Sequence, residues 1–158
     1  MPLDPQRFRQ TMGSLVTGVT VVAARDARGV LRGMTAASVT SLSLEPPMLL
    51  VCVGHDAEIH DTLVGSPLFT VSVLAEGQDR LAERFATRGS QHFDDLDARV
   101  TPGGLPVIAG AIAHLECRRD AVHAAGDHTI VTGVIEWAAT EPGAPLCHFR
   151  SRYMGVVR

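Results

Sequence analysis

A chain of 158 residues with 46% hydrophobic content is long enough to build one domain around its own core. A net charge of −3 and only 4% aromatic residues exclude a basic field for nucleic acid or an anionic membrane, and also a base-stacking surface. No apolar run nears the roughly 20 residues of a membrane span, and the polar start MPLDPQRFRQ lacks the apolar stretch of a signal peptide. The cysteines Cys52, Cys117 and Cys147 are odd in number and far apart, with no Cys-x-x-Cys pair. A reduced, cytoplasmic protein with no nucleic-acid or membrane partner is expected.

Phe8, Met12, Leu15 and Val16 recur at helical spacing and predict an opening amphipathic helix. Residues 18–36, GVTVVAARDARGVLRGMTA, predict two strands around a polar turn at Asp26–Gly29. MLLVCVG (48–54) is an unbroken apolar run, consistent with a strand buried on both faces. AEIHDTLVGS predicts a short helix stopping at Gly65, with Pro67 just beyond. LFTVSVLA (68–75) follows as a strand, and GQDRLAERFATRG (77–89) as a helix with Gly89 as its C-cap. After the loop TPGGLP come three strands, AIAHLECRRDAVH, HTIVTGVIEWAAT and PLCHFRSRYMGV. About seven strands and three short helices, with turns between the strands, predict a mostly β, antiparallel barrel of a single domain across 1–158.

Several chemistries have no motif here. No Gly-x-Gly-x-x-Gly follows a strand and opens a helix, and there is no phosphate-cradling Gly-x-x-x-x-Gly-Lys-Ser/Thr loop. His-Glu-x-x-His and Gly-x-Ser-x-Gly are also missing. The histidines are scattered: His55 and His60 are five apart, while His114, His123 and His128 fall in other segments, so no metal is expected. Cys52 inside LLVCV has nothing to activate it as a nucleophile.

The unusual stretch is GMTAASVTSLSLEPPMLLVCV (33–53). Thr35, Ala36, Ala37 and Ser38 offer little side-chain volume and free backbone N–H groups. One reading is a loosely packed strand edge. The other is a segment against which a flat heteroaromatic ring lies, accepting those donors. A phosphate on that ring would need N–H groups or a cation, which GHDAEIH (54–60) and RFATR (84–88) offer.

TGVTVV, GMTAASVTSLSLEPPMLLVCV, RFATRGSQHF, GLPVIAGAIAHLEC and AGDHTIVTGVI stand in this order. In that order they resemble the flavin reductase family with the FMN-binding split-barrel fold, the small reductases of two-component flavin-dependent monooxygenases. The likeness runs from about Phe8 to Tyr153. It is most specific in the T-A-x-S-x-x-S-x-S-x-x-P-P pattern and the triplet Gly126-Asp127-His128.

The resemblance implies a homodimer of antiparallel split barrels with FMN or FAD near the interface and NADH or NADPH as co-substrate. Hydride would pass from the nicotinamide to the flavin, and reduced flavin would diffuse to a partner monooxygenase. Stacking the rings is the protein's main task, so no catalytic constellation is needed. Thr35, Ala36, Ala37 and Ser38 would bond the isoalloxazine, Ser41 would lie at its pyrimidine end, and Cys52 and Val53 would border the ring or ribityl chain. Gly54, His55, Ala57 and His60 would form the phosphate turn, beside Phe85, Arg88 and Phe93, with Arg88 as the basic residue. His128 would position the nicotinamide, bordered by Arg152 and Tyr153. The other reading of these three is a turn histidine and ordinary edge-strand residues. Asp127 would fix the turn.

One departure stands out. Relatives carry hydroxyl residues after the CV strand, whereas this chain has Gly54, His55, Asp56, Ala57, Glu58 and Ile59. The rival readings are a flavin-binding sensor or carrier without reductase activity, and a split-barrel protein that oxidises pyridoxamine phosphate or binds haem. The first has no need of Gly126-Asp127-His128, and the second gives Thr35–Ser38 no role.

Overall fold

The computed structural model describes residues 2–89 and 92–156; Ser90 and Gln91 of RFATRGSQHF lie outside them. Helix α1 (Pro5–Met12) begins where the Asp4 carboxylate accepts the Arg7 N–H at 2.9 Å, an N-cap reinforced by Pro5 at the first helical position. It stops at Met12, before Leu15 and Val16, and it buries none of its residues. The expected apolar stripe is therefore shorter than its spacing suggested, and it faces outward.

After β1 (Thr17–Gly18), the strands β2 (Thr20–Arg25) and β3 (Leu31–Ala36) form a hairpin. Its turn is held by Asp26, whose carboxylate accepts the N–H groups of Arg28 and Val30 at 2.9 Å each. Two residues later comes a strand the sequence reading left out, β4 (Val39–Leu44). It pairs with β5 (Pro47–Gly54) and is exposed over most of its length, so its hydroxyl-rich sequence carried little core signal.

β6 (Leu68–Val73) and the long hairpin of β9 (Ala113–Ala125) and β10 (His128–Thr140) complete a seven-stranded sheet. Its order is β3-β2-β6-β9-β10-β5-β4, antiparallel at every junction. The sheet is not closed, and β3 and β4 are its two edges, unpaired with each other. Only Ala37 and Ser38 join these edge strands, and three Cα–Cα steps of 3.8 Å hold the joined ends within about 11 Å across an open seam.

β2 is buried on both faces, as is the middle of β6 (residues 69–72), whereas β5 is not. Val22 and Ala24 enter one core with Val51, Val53, Phe69 and Val71; Val21 enters a second core with Val19, Leu74, Ala82, Phe85 and Ile108. A period of two sends alternate residues to opposite faces. Helix α2 (His60–Gly65) supplies Leu63 to the first core, and α3 (Asp79–Ala86) supplies Ala82 and Phe85 to the second. β5 buries only Leu49, Val51 and Val53, leaving Met48, Leu50 and Cys52 half-covered.

Other boundaries also move. α3 ends at Ala86 with Thr87 as its C-cap, so Gly89 is not the cap. TPGGLP is the tip of a small hairpin between β7 (Ala98–Val100) and β8 (Pro106–Ile108). The buried Glu116 carboxylate fastens this tip, accepting from the Thr101 hydroxyl and from the Gly103 N–H at 3.0 Å. PLCHFRSRYMGV is two strands, β11 (Cys147–Phe149) and β12 (Arg152–Met154), turned by Arg150 and Ser151 at φ of 47° and 62°. With β1 they make a three-stranded sheet.

Cys117 is fully buried, and burial, with Glu116 and Glu136 nearby, pushes its thiol up to about 12. It behaves as a small hydrophobe. Among the described residues no group of His, Cys, Asp or Glu is arranged to hold a metal, and no helix is long and apolar enough to cross a membrane.

Candidate functional site

Strand β3 carries one cavity at each end. At its C-terminal end, in the seam, is a space of about 290 Å3 walled by Gly18, Thr20, Ala36, Ala37, Ser41 and Leu49 among others. Small side chains are what keep this space open, and its walls are mainly carbon. β3 has a single ladder partner, so alternate backbone N–H groups along it point away from the sheet. Ser38 ties the start of β4 to β5: its hydroxyl donates to the Cys52 carbonyl at 2.9 Å, and its own carbonyl accepts the Cys52 N–H at 3.4 Å. The Thr35 hydroxyl faces α3 instead, donating to the Ala82 carbonyl at 2.5 Å.

At the N-terminal end of β3 is a cleft of about 140 Å3 lined by Gly33, Asp56, Ala57, Glu58, Phe85 and Arg88 with their neighbours. Glycine is required at 33, because a Cβ there would lie 2.7 Å from the Phe85 ring. Phe93 packs edge-on against Phe85 at 5.1 Å. The cleft thus joins Ala57, Phe85 and Arg88 as the sequence led us to expect.

Asp56 and Glu58 do not point away from it. Arg88 donates to the Asp56 carbonyl at 3.1 Å and reaches its carboxylate at 3.4 Å, and Glu58 accepts the Gly89 N–H at 3.1 Å. The backbone donors of the 54–60 turn are largely committed as well. Ala57 N–H bonds Gly54, His60 N–H bonds Ala57, and His55 N–H bonds the Asp127 carbonyl.

That last bond brings the Gly126-Asp127-His128 turn against the end of β5. His128 stands opposite Gly54 in the β5–β10 ladder. One of its ring nitrogens pairs with Asp127 at 2.6 Å. This hydrogen bond, followed by the imidazole's charge, lowers the Asp127 carboxyl below its usual range. His55 and His60 meet edge-to-face at 5.3 Å beside it, and His60 bonds Thr129 at 2.9 Å.

Three expected residues stand apart from the two cavities. Val53 is 1% exposed, its side chain turned into the first core. Among the described residues no contact links Arg152 or Tyr153 to His128. Arg152 is exposed, while Tyr153 packs against the second core beside Leu81 and Phe93. Burial, with Glu83 adding to it, raises the Tyr153 phenol. The sequence reading also passed over Gly33 as a wall residue, although a glycine between a strand and a run of small residues is a cue for close packing.

A family model described as "Flavin reductase like domain" matches residues 12–156. The chain belongs to the flavin reductase family. It is 44% identical over 144 residues to the "FMN reductase (NADH) SmoA" of Agrobacterium fabrum, covering 91% of this chain and 82% of that one. It is 36% identical over 155 residues to the "Flavin-dependent monooxygenase, reductase subunit HsaB" of Rhodococcus jostii, covering 98% and 79%. Among solved structures, the Streptomyces globisporus NADH:FAD oxidoreductase SgcE6 in complex with NAD and FAD fragments superposes with a TM-score of 0.91. There the identity is 40%, over 99% of this chain and 97% of that one.

The residues present fit the flavin of this family. The seam offers an apolar, small-walled space for a ring, and β3 leads from it to an arginine. Gly33 and Ala36 lie about 10 Å apart at 3.2–3.4 Å per residue, within reach of a five-carbon chain ending in phosphate.

Proposed function

We propose that this chain is an NAD(P)H-dependent flavin reductase that takes FMN or FAD and passes reduced flavin to a separate monooxygenase. The observation that carries the reading is the pairing, on one strand, of an apolar cavity with an arginine cleft. When bound, the flavin and the nicotinamide supply the hydride transfer themselves. The chain's part is to bind and orient. The backbone of 35–38 holds the ring edge, Ser41 flanks it, and Arg88 meets the phosphate. His128 stands by the nicotinamide, held in one ring orientation by Asp127. Both cavities are open and the Arg88–Asp56 contact is exposed, which suits a flavin that must leave.

Residues 1–158 act as one domain, and two copies form a homodimer. Supporting this, Phe8 and Met12 of α1 are 54% and 49% exposed, Leu42 and Leu44 of β4 are 49% and 83% exposed, and the outer face of β5 is apolar and half-covered. So much exposed apolar surface belongs to an interface.

The test is anaerobic mixing of the protein with free flavin and NADH. Catalytic bleaching of the flavin's visible absorbance is expected; binding without bleaching identifies a carrier instead. In the same assay His128→Ala is expected to raise the KM for NADH or slow reduction about ten- to a hundredfold, with flavin affinity nearly constant. An unchanged NADH profile removes His128 from the site.

A further inference from the structure

The Arg88 cleft and the Gly126-Asp127-His128 triplet are joined by one short turn. Residues 54–57 leave the end of β5 and close on themselves, the Ala57 N–H bonding the Gly54 carbonyl at 3.0 Å. On one side the segment after α3 grips this turn. Arg88 Nη2 donates to the Asp56 carbonyl at 3.1 Å and reaches the Asp56 carboxylate at 3.4 Å, and the Gly89 N–H donates to Glu58 at 3.1 Å. On the other side the turn grips the tip of the β9–β10 hairpin, where the His55 N–H bonds the Asp127 carbonyl at 3.0 Å. His128 follows directly, held by Asp127 at one ring nitrogen and set opposite Gly54 in the β5–β10 ladder.

The turn is packed closely enough to transmit position. A Cβ at Gly54 would lie 3.0 Å from Asp56 Oδ1 and 3.6 Å from His128 Nε2. The Asp56 carboxylate and the His128 ring therefore share the space above this glycine. Arg88 also has donors to spare for a second task. Both of its contacts to Asp56 use Nη2, and among the described residues Nε and Nη1 have no partner. A guanidinium carries five N–H donors, so it can meet a phosphate while one nitrogen holds the turn.

We propose that Arg88 is a positioning residue for the nicotinamide as well as the anchor of the flavin phosphate. It acts through the 54–57 turn. Holding Asp56 holds the His55–Asp127 bond, and that bond sets where the His128 ring stands. The proposal rests on the reading of Arg88 as the phosphate residue and of His128 as the nicotinamide residue. Its consequence is that NADH depends on Arg88 even when the flavin carries no phosphate. The contacts of Arg88 are exposed, so the dependence is modest.

The test uses the full chain with saturating riboflavin as acceptor, which removes the phosphate from the comparison. Arg88→Ala is expected to raise KM for NADH about three- to fivefold with kcat nearly constant, the upper end for an exposed polar link. Kd for riboflavin should hold. The decisive measurement is the double-mutant cycle with His128→Ala. Removing Arg88 in that background should change kcat/KM for NADH by less than about 1.5-fold, because the ring it positions is gone. The proposal is overturned if KM for NADH with riboflavin ignores Arg88. It is also overturned if the two losses multiply, or if Kd for riboflavin rises together with KM, since either marks a general loosening of the fold. Two controls address the underlying reading: the NADH profile of His128→Ala alone, and an FMN titration of Arg88→Ala. An NADH profile blind to His128, or FMN binding blind to Arg88, defeats that reading and the proposal with it. When both controls hold and the riboflavin cycle is additive, only the link through the turn is lost.

Discussion

The two ends of β3 are built on opposite principles. At the seam, Ala36 and Ala37 make a space by having almost no side chain, and the chemistry on offer is carbon surface plus backbone N–H groups. At the cleft, Arg88, Asp56 and Glu58 crowd a smaller space with charge. Under the function proposed above, recognition at the seam would be steric and would not depend on what flavin carries beyond its ring. Recognition at the cleft would be electrostatic and already partly answered from within, since the Asp56 carboxylate lies 3.4 Å from Arg88. Affinity for the ring would then be separated from discrimination by phosphate.

The largest effect expected from this contrast comes from filling the seam. Ala37 is exposed, so Ala37→Trp is tolerated by the fold while its indole occupies the cavity. Affinity for riboflavin, FMN and FAD is expected to fall together by about a hundredfold or more, as overfilled sites reject ligands outright. Equilibrium titration with all three flavins checks it, and a loss confined to one of them would break the contrast.

Changes in the cleft are expected to be smaller and to depend on phosphate. Arg88→Ala should weaken FMN by about 1.5–3 kcal/mol, the range for hydrogen bonds to charged groups, and leave riboflavin nearly unchanged. Asp56→Asn should act in the opposite direction. It removes the internal competitor and one like charge, and FMN affinity should rise about three- to tenfold with riboflavin indifferent. Its modest size follows from exposure, because ion pairs in water contribute little. Equal shifts for FMN and riboflavin in either variant would make these residues supports of the fold.

The smallest effect concerns acid stability. The charges of the cleft are exposed, whereas His114 on β9 is 2% exposed and neither of its ring nitrogens has a partner among the described residues. Burial, aided by Arg99 and only partly offset by Glu141, holds its imidazole below 6.5. The unfolded chain therefore takes up a proton near 6.5 that the folded chain refuses. Stability from this group is intact above about 6.5 and declines as pH falls below it, by at most about 1.4 kcal/mol per pH unit. Thermal melts between pH 7 and 5.5 should show this decline, and His114→Leu should flatten it.

The strand pattern was legible because alternation and β-branched runs report burial directly, as in TVVAAR and LFTVSV. β4 was not, since an exposed edge strand of Thr, Ser and Leu buries nothing that would mark it. The site divided in the same way. Small residues at 35–38 and the arginines of RFATR could be read as candidates to meet a ring and a phosphate, because that reading needs only residue type, whereas the choice of Arg88 came from the family resemblance. Whether Asp56 and Glu58 turned toward Arg88 or away could not be read, because a side chain's direction at a turn depends on what packs across from it.

The sequence by itself determined the antiparallel β character, the small-residue run and the family to which the chain belongs. All of these rest on local patterns and on motif order. Only the tertiary structure decided that β2 rather than β5 is buried on both faces, that Val53 turns into the core, and that Asp56 reaches Arg88 across 32 positions of sequence. These are facts about which segments meet. Sheet order and packing set them by bringing together residues tens of positions apart, and no local pattern carries that information.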